Sequence, residues 1–385
     1  MQEYNPERVV LLRQVERLTQ KTLSEKTGVS QGTLSKIENR QVELAASVVS
    51  KIAAAFDYPV TFFEEATGAV AVTSLTYRHT SSTSVGELNA IAAEYSMLCG
   101  VVDRVSSSLG LRSKTTWIDT MALRDDPADG GVIERLAEKT RNSLGLPSSG
   151  NIGNLTRALE RVGIVVAPLH SLTAKQKANL NSDGVTMPER DMKLMPVIGY
   201  SIRNNTGDRL RFTIAHELGH LLLHKYRKPA NYRDMEREAH RYAGALLMPQ
   251  ADARILLGDH FMLSDLARLK ASWGMSIASM VSRASNLGLI DANRTRSLQI
   301  QINSRGWRKR EPVHVGDEHP VLMKQIMTAK YAGGNPARGI DSLTAEKELK
   351  VPFRYLDQWS DGLKEYGAEF GFSSKRFESE TARMA

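Results

Sequence analysis

The segment Arg211-Phe-Thr-Ile-Ala-His-Glu-Leu-Gly-His220 sets two histidines four residues apart, with Glu217 directly after the first, inside an otherwise apolar run. Positions four apart on an α-helix lie about 40° apart around its axis, so a helical reading turns His216 and His220 toward one point. Phe212, Ile214, Leu218, Leu221, Leu222 and Leu223 require that helix to be buried, and every polar atom buried with it needs a partner. A Zn²⁺ ion meets that need. In such a spacing Glu217 is not a ligand but the group that takes a proton from water during hydrolysis.

Two histidines leave a catalytic zinc one protein ligand short, so a carboxylate or a further histidine is expected downstream. The run from Asp234 to Leu247 is charged in its first half and apolar in its second, and Pro249 stops it. Within it Glu236 and His240 share a helical face, whereas Glu238 lies about 160° from that face. Acidic residues at this place also suit a plain helix N-terminus, where they favour the dipole. Spacing thus leaves Glu236, Glu238 and His240 open as ligands.

Phe212-Thr-Ile-Ala-His-Glu-Leu-Gly-His-Leu-Leu-Leu-His224 followed by Glu236-Arg-Glu-Ala-His-Arg-Tyr-Ala-Gly-Ala-Leu-Leu-Met-Pro249 resembles the signature pair of the ImmA/IrrE family of metallopeptidases. The resemblance implies an α+β, zincin-like domain, Glu236 as third ligand beside His216 and His220, and Glu217 as general base. The chain departs from the family at His240, where Asp or Asn is usual, and at Tyr242, where Phe is usual. His240 is therefore read as a partner of the site, as a competing ligand, or as the mark of a shifted register in which Glu238 binds. His224 reads as a packed or capping residue. Tyr242, His240 and Tyr200 are the candidates for steadying a developing oxyanion.

The first 65 residues form a separate helical unit. Runs from Pro6 to Leu18, Gln20 to Thr27, Gln31 to Asn39 and Ser47 to Phe56 carry apolar residues at helical spacing, and Gly28-Val-Ser30 makes the turn between the second and third. This unit resembles the Cro/CI-type (XRE) helix-turn-helix domain. The resemblance implies phosphate contact by Gln20, base reading by Gln31 and Lys36, phosphate contacts at Thr33 and Asn39, and a buried pair between Arg13 and Glu38. Gly32 departs from the family, which often carries a long polar side chain there. With eight Lys/Arg against nine Asp/Glu, the unit owes any DNA affinity to charge placed on one face. One such unit reads half a site, so a homodimer on a double-stranded operator is expected.

The expected fold is mainly α with a small β-sheet in the peptidase domain. Its parts are a helix-turn-helix head (1–65), a linker and helical connector (66–130), a peptidase domain (131–250), a helix-turn-helix-like region (251–312) and a helical C-terminal region (313–385). Strands are expected at Gly163–Ala167 and Met195–Tyr200, and an edge strand there suits an extended substrate segment. The last region carries no catalytic signature and reads as a dimerisation or docking element. Cys99, amid Met97, Leu98 and Val101, reads as core. A single cysteine builds no disulfide framework, and the N-terminus has neither the basic nor the apolar part of a secretory signal, so a cytoplasmic protein without a membrane is expected. The net charge of +8 agrees with a nucleic-acid partner.

Taken together, the two resemblances imply a DNA-binding regulator whose zinc endopeptidase cleaves a repressor or antitoxin, in the setting of mobile elements or stress responses. The alternative is a regulator whose peptidase-like domain senses or binds without cutting.

Overall fold

The computed structural model describes residues 3–65, 75–76, 84–125, 128–173, 183–202, 206–258, 260–335 and 338–363. The linker expected at Thr73–Ser84, apart from Leu75, Thr76 and Ser84, and the frayed tail expected from Ser373 lie outside these residues.

The head is built from α1 (Glu7–Val15), α2 (Gln20–Thr27), α3 (Gln31–Glu38) and α4 (Ala46–Phe56). Thr19 and Ser30 start α2 and α3 by accepting from the Thr22 and Thr33 backbone N–H groups, and Gly28 ends α2 at φ 66°. Val9, Leu12, Leu23, Leu34, Ile37, Val49 and Ile52 meet between the helices. A 3-10 turn, Val60–Glu64, then puts Phe62 and Phe63 beneath them. The sequence periodicity did not show that turn.

Beyond the head come α5 (Val85–Ser108), α6 (Thr116–Met121), α7 (Gly130–Ser143), α8 (Leu155–Arg161), β1 (Val165–Pro168), α9 (His170–Thr173), β2 (Gly184–Thr186) and β3 (Val197–Tyr200). The order in the sheet is β1-β3-β2, with β1 parallel to β3 through Val165↔Val197 and β2 antiparallel to it through Gly184↔Tyr200. Successive side chains alternate sides. Val165, Ala167 and Val197 enter one core with the head, α5 and the C-terminal helices, whereas Val166, Ile198 and Tyr200 enter a second core with the helices that follow. Burial on both faces is why these strands read as unbroken apolar runs.

The second core is closed by α10 (Gly207–Leu223), α11 (Tyr232–Leu247), α12 (Gln250–Leu256), α13 (Leu263–Trp273), α14 (Ile277–Asn286) and α15 (Ala292–Ser304). The helix-turn-helix-like pair is α13 and α14, joined at Gly274 with φ 61°. Its second helix is no reading head. Met280, Val281 and Ala284 are buried, and the fully buried Arg283 donates to the Met248 carbonyl and pairs with Glu134. Packing therefore continues across the boundary drawn at residue 250.

In the C-terminal region α16 (Leu322–Tyr331), α17 (Ser342–Leu349) and α18 (Phe353–Trp359) pack inside the chain, on α5, the sheet and the head. The Trp359 indole N–H donates to the buried carboxylate of Glu94, which also accepts from the backbone N–H groups of His170 and Ser171. The Tyr355 hydroxyl and the Arg354 guanidinium both reach Glu16 of the head. Cys99 is buried, and burial pushes its thiol up to about 11, so it serves as core. Among the described residues no helix is long and apolar enough to cross a membrane.

Trp359 is the largest fully buried side chain, so Trp359→Ala should cost about 3–5 kcal/mol of stability. Urea unfolding measures this, and an unchanged midpoint would show that α18 is not part of the folded core.

Candidate metal centre and nucleic-acid face

Helix α10 carries His216, Glu217 and His220 into the interior because Leu218, Leu221, Leu222 and Leu223 are all buried. Five ion pairs and hydrogen bonds fix its first half. Arg211 donates to Glu318 and to the carbonyls of Ile152, Gly153 and Trp273, and Asp208 takes a hydrogen bond from the buried Lys270 ammonium. Glu318 also accepts from the Leu155 and Thr156 N–H groups at the start of α8. A Cβ at Gly274 would come 2.3 Å from the Arg211 guanidinium, so that glycine is required by the close approach as well as by its φ.

The neighbouring α11 comes against α10 at Gly219. A Cβ there would lie 2.8 Å from the ring of Tyr242, which is fully buried with its hydroxyl hydrogen-bonded to Thr140. The approach brings Glu236 to the histidine pair. His216 Nε2 and His220 Nε2 are 3.0 Å apart, and the Glu236 oxygens lie 3.5 and 3.4 Å from them. Tetrahedral ligands about 2.0–2.1 Å from a zinc ion are roughly 3.3 Å from one another, so these three atoms fit the ion in both chemistry and spacing. Burial would raise the Glu236 carboxyl, but His216 and His220 overcome it and hold it well below the usual carboxylate range.

Behind His220 runs a buried chain of hydrogen bonds. His220 Nδ1 meets His224 Nδ1 at 2.8 Å, His224 Nε2 meets Glu238 at 3.1 Å, and Arg227 grips both Glu238 oxygens at 2.8 and 2.7 Å. Although burial opposes it, His224 and Arg227 hold Glu238 down to about 2, so it is an acceptor only. His224, kept neutral chiefly by burial, must then donate from Nε2, which leaves its Nδ1 to accept from His220 Nδ1–H. His220 Nε2 is therefore a bare lone pair aimed at His216 and Glu236, the state a metal requires. Burial also pushes His220 down to about 4, in the same sense. Glu238 thus faces away from the metal position, and the shifted register is corrected. The helical rotation that separates it from Glu236 delivers it to Arg227.

His240 is exposed, with Nδ1 directed at the Glu236 carbonyl and its ring 4.7 Å from that of His216. His216, Glu236 and His240 each offer a ligand atom within 4.8 Å of the others, as do His216, Glu217 and His220. Of the three oxyanion candidates only His240 reaches the site. Tyr242 points to Thr140 in the core, and Tyr200 is buried in the second core with Glu160 and Asp361 as its neighbouring charges.

Glu217 is buried, and burial, reinforced by Glu236, pushes its carboxyl well above the ordinary range despite a hydrogen bond from Thr76. The Thr76 hydroxyl donates to Glu217 Oε2 at 2.9 Å. Gly184 of β2 sits against the same side chain, since a Cβ there would meet Glu217 Cγ and Oε1 at 2.8 Å. Thr76, Gly184 and Arg227 were not marked by the sequence pattern.

In the head, Leu34 and Ile37 face inward, so Gln31, Gly32, Lys36 and Asn39 stand exposed on α3 with Thr33 half-buried. Arg13 binds both Glu38 oxygens at 2.8 Å, as the resemblance implied. The Gln20 side-chain amide also donates to Glu38, which directs it to the protein rather than outward. Thr33 shares a hydrogen bond with the Ser30 hydroxyl, and the Asn39 amide reaches Ser35.

Removing Glu238 leaves the Arg227 guanidinium buried without its carboxylate, so Glu238→Ala should destabilise by about 3–5 kcal/mol. Gly219→Ala, by overpacking against Tyr242, should cost about 1–3 kcal/mol. Denaturant midpoints test both. A Gly219→Ala protein of unchanged stability would mean that α10 and α11 do not meet as closely as stated.

Residues 160–285 match the family described as the IrrE N-terminal-like domain, and residues 12–63 match the family described as Helix-turn-helix. Among curated proteins no match was found.

Proposed function

We propose that this chain, which joins a helix-turn-helix DNA-binding domain to an IrrE-type peptidase-like domain, is a transcription regulator that also cuts a protein partner through a zinc site. The observation that carries this reading is the convergence of His216 Nε2, His220 Nε2 and Glu236 within 3.0–3.5 Å, with the buried carboxyl of Glu217 alongside. His216, His220 and Glu236 would hold the ion. Zinc bound there supplies Lewis acidity to a peptide carbonyl and makes water acidic near neutral pH.

The chain's own residues do the remainder. Glu217 accepts the proton of the attacking water and passes it to the departing amine. His240, exposed beside His216, is the group that faces charge developing on the carbonyl oxygen. The edge strand β2 holds an extended segment by main-chain hydrogen bonds, which suits one exposed loop of a folded partner. A repressor or antitoxin bound near the operator is that partner, and the head acts as half of a homodimer on double-stranded DNA, through Gln31, Thr33, Lys36 and Asn39, in the cytoplasm. Phosphate contact by Gln20 requires its amide to leave Glu38.

Three outcomes test the reading. Glu217→Gln should retain zinc in elemental analysis yet lose cleavage of any repressor or antitoxin that the wild-type protein cuts; cleavage at the wild-type rate would sink the assignment. Glu238→Ala, by freeing the His224–His220 tautomer, should weaken zinc binding about 10–100-fold in chelator competition. In gel shifts, operator affinity should fall steeply with salt, and Gln31→Ala should lose about 1–3 kcal/mol of base discrimination.

A further inference from the structure

Thr76 belongs neither to the sheet nor to α10, yet it joins them. Its backbone N–H donates to the Thr186 carbonyl at 3.0 Å, and the Thr186 N–H donates back to the Thr76 hydroxyl oxygen at 3.0 Å. Thr186 is the last residue of β2, the outer strand of the sheet, and these are its backbone groups that β3 does not take. The Thr76 hydroxyl has one proton. That proton has two acceptors within reach, Glu217 Oε2 at 2.9 Å and the Thr186 carbonyl at 3.1 Å, and the carboxylate is the nearer. Leu75 and Thr76 are 9% and 4% exposed, and Leu75 packs in the core that α5 and the sheet share.

An unpaired sheet edge is a template for an extended chain. Here the edge runs directly past Glu217, because Gly184 has no room for a Cβ beside that carboxyl. Any segment added to β2 is thereby presented to the candidate base. Thr76 makes the main-chain bond of such a segment, and its hydroxyl donates to the Glu217 oxygen that would otherwise accept from an attacking water.

We infer that Leu75–Thr76 is an intramolecular occupant of the peptide-binding edge, a self-blocking strand that an outside substrate must displace. The inference rests on the peptidase reading above for the meaning of the edge, not for the contact itself. A tethered occupant acts at an effective concentration of order millimolar, so it holds the edge against weak ligands and yields to a tight one. It also reduces the apparent affinity of every competitor by the fraction of chains in which the edge is open. The blocking residue is small, β-branched and hydroxyl-bearing, which defines the side chain that the position beside Glu217 accepts.

The test uses the full-length chain and a fluorescein-labelled peptide with the sequence of residues 71–80. Thr76→Pro removes both the N–H and the hydroxyl from the tethered copy. This variant should bind the peptide at least tenfold more tightly than wild type, and Thr76→Ala, which keeps the N–H, should fall between them. The peptide carrying proline in place of Thr76 should bind neither protein. Amide exchange at Thr186 should accelerate in Thr76→Pro and slow again when the unaltered peptide is added. Equal peptide affinity in wild type and Thr76→Pro overturns the inference, as does faster Thr186 exchange that the peptide does not reverse, since the segment would then be a structural cap. Neither readout needs cleavage. Peptide capture without cleavage of any partner would leave the docking and remove the peptidase reading, whereas cleavage that depends on Glu217 with no tightening in Thr76→Pro would remove the docking alone.

Discussion

The missing side chain at Gly219 is the constraint on which the site depends. Only with a hydrogen there can α11 lie close enough for the Tyr242 ring to rest on the α10 backbone, and only at that distance does Glu236 meet His216 and His220. A methyl group would have to move a ring that is buried and hydrogen-bonded to Thr140. Close-packed interiors do not yield by fractions of an ångström at low cost. The glycine between Glu217 and His220 is thus a statement about where Glu236 sits, sixteen residues beyond His220.

Charge then sets the orientation that packing alone leaves free. A buried ion pair is weak evidence of stability, since desolvation offsets much of its attraction. It does define direction. Arg227 pins Glu238, Glu238 dictates which nitrogen of His224 bears hydrogen, and His224 dictates the same for His220. Arg211 and Asp208 do comparable work at the other end of α10, tying it to Glu318 and to Lys270 of α13. The helix is held at both ends by groups that tolerate little rotation, and the imidazoles between them inherit that precision.

What could be read from the sequence was whatever repeats at helical spacing or sits within one helix. The four head helices, α5, α7, α13 and α14 follow their apolar periodicity to within a few residues, and His216, Glu217 and His220 are fixed by a spacing of four. Strand β2 escaped notice because three residues show no period, and α18 because seven residues after a proline read as a turn. The partners of Glu238 and Glu217 escaped for a different reason. Arg227 and Thr76 reach them across 11 and 141 residues, and no local pattern encodes such a meeting. The helix-turn-helix-like form of α13 and α14 was legible from the turn at Gly274, but that turn looks the same whether the second helix faces solvent or a core.

The way the head is attached decides how an event in the cleft could reach the DNA-binding face. The head shares one core with α5, the sheet and α18, and Arg354, Tyr355 and Tyr58 converge on Glu16 to lock it there. Glu65, at the end of the head, pairs with Arg104 of α5, and Ser84 caps the start of the same helix. Leu75 and Thr76 lie between two points anchored to one rigid element. Their withdrawal from β2 breaks the contacts of Thr76 to Thr186 and Glu217 and takes Leu75 out of the shared core, while the bonds of Arg354, Tyr355 and Tyr58 to Glu16 involve neither residue. Coupling between sites needs an element with two arrangements that both ligands bias, and this attachment supplies none by that route. Displacement of Thr76 is accordingly a change at the sheet edge and at Glu217, and the bonds of Arg354, Tyr355 and Tyr58 that lock the head through Glu16 do not pass through it.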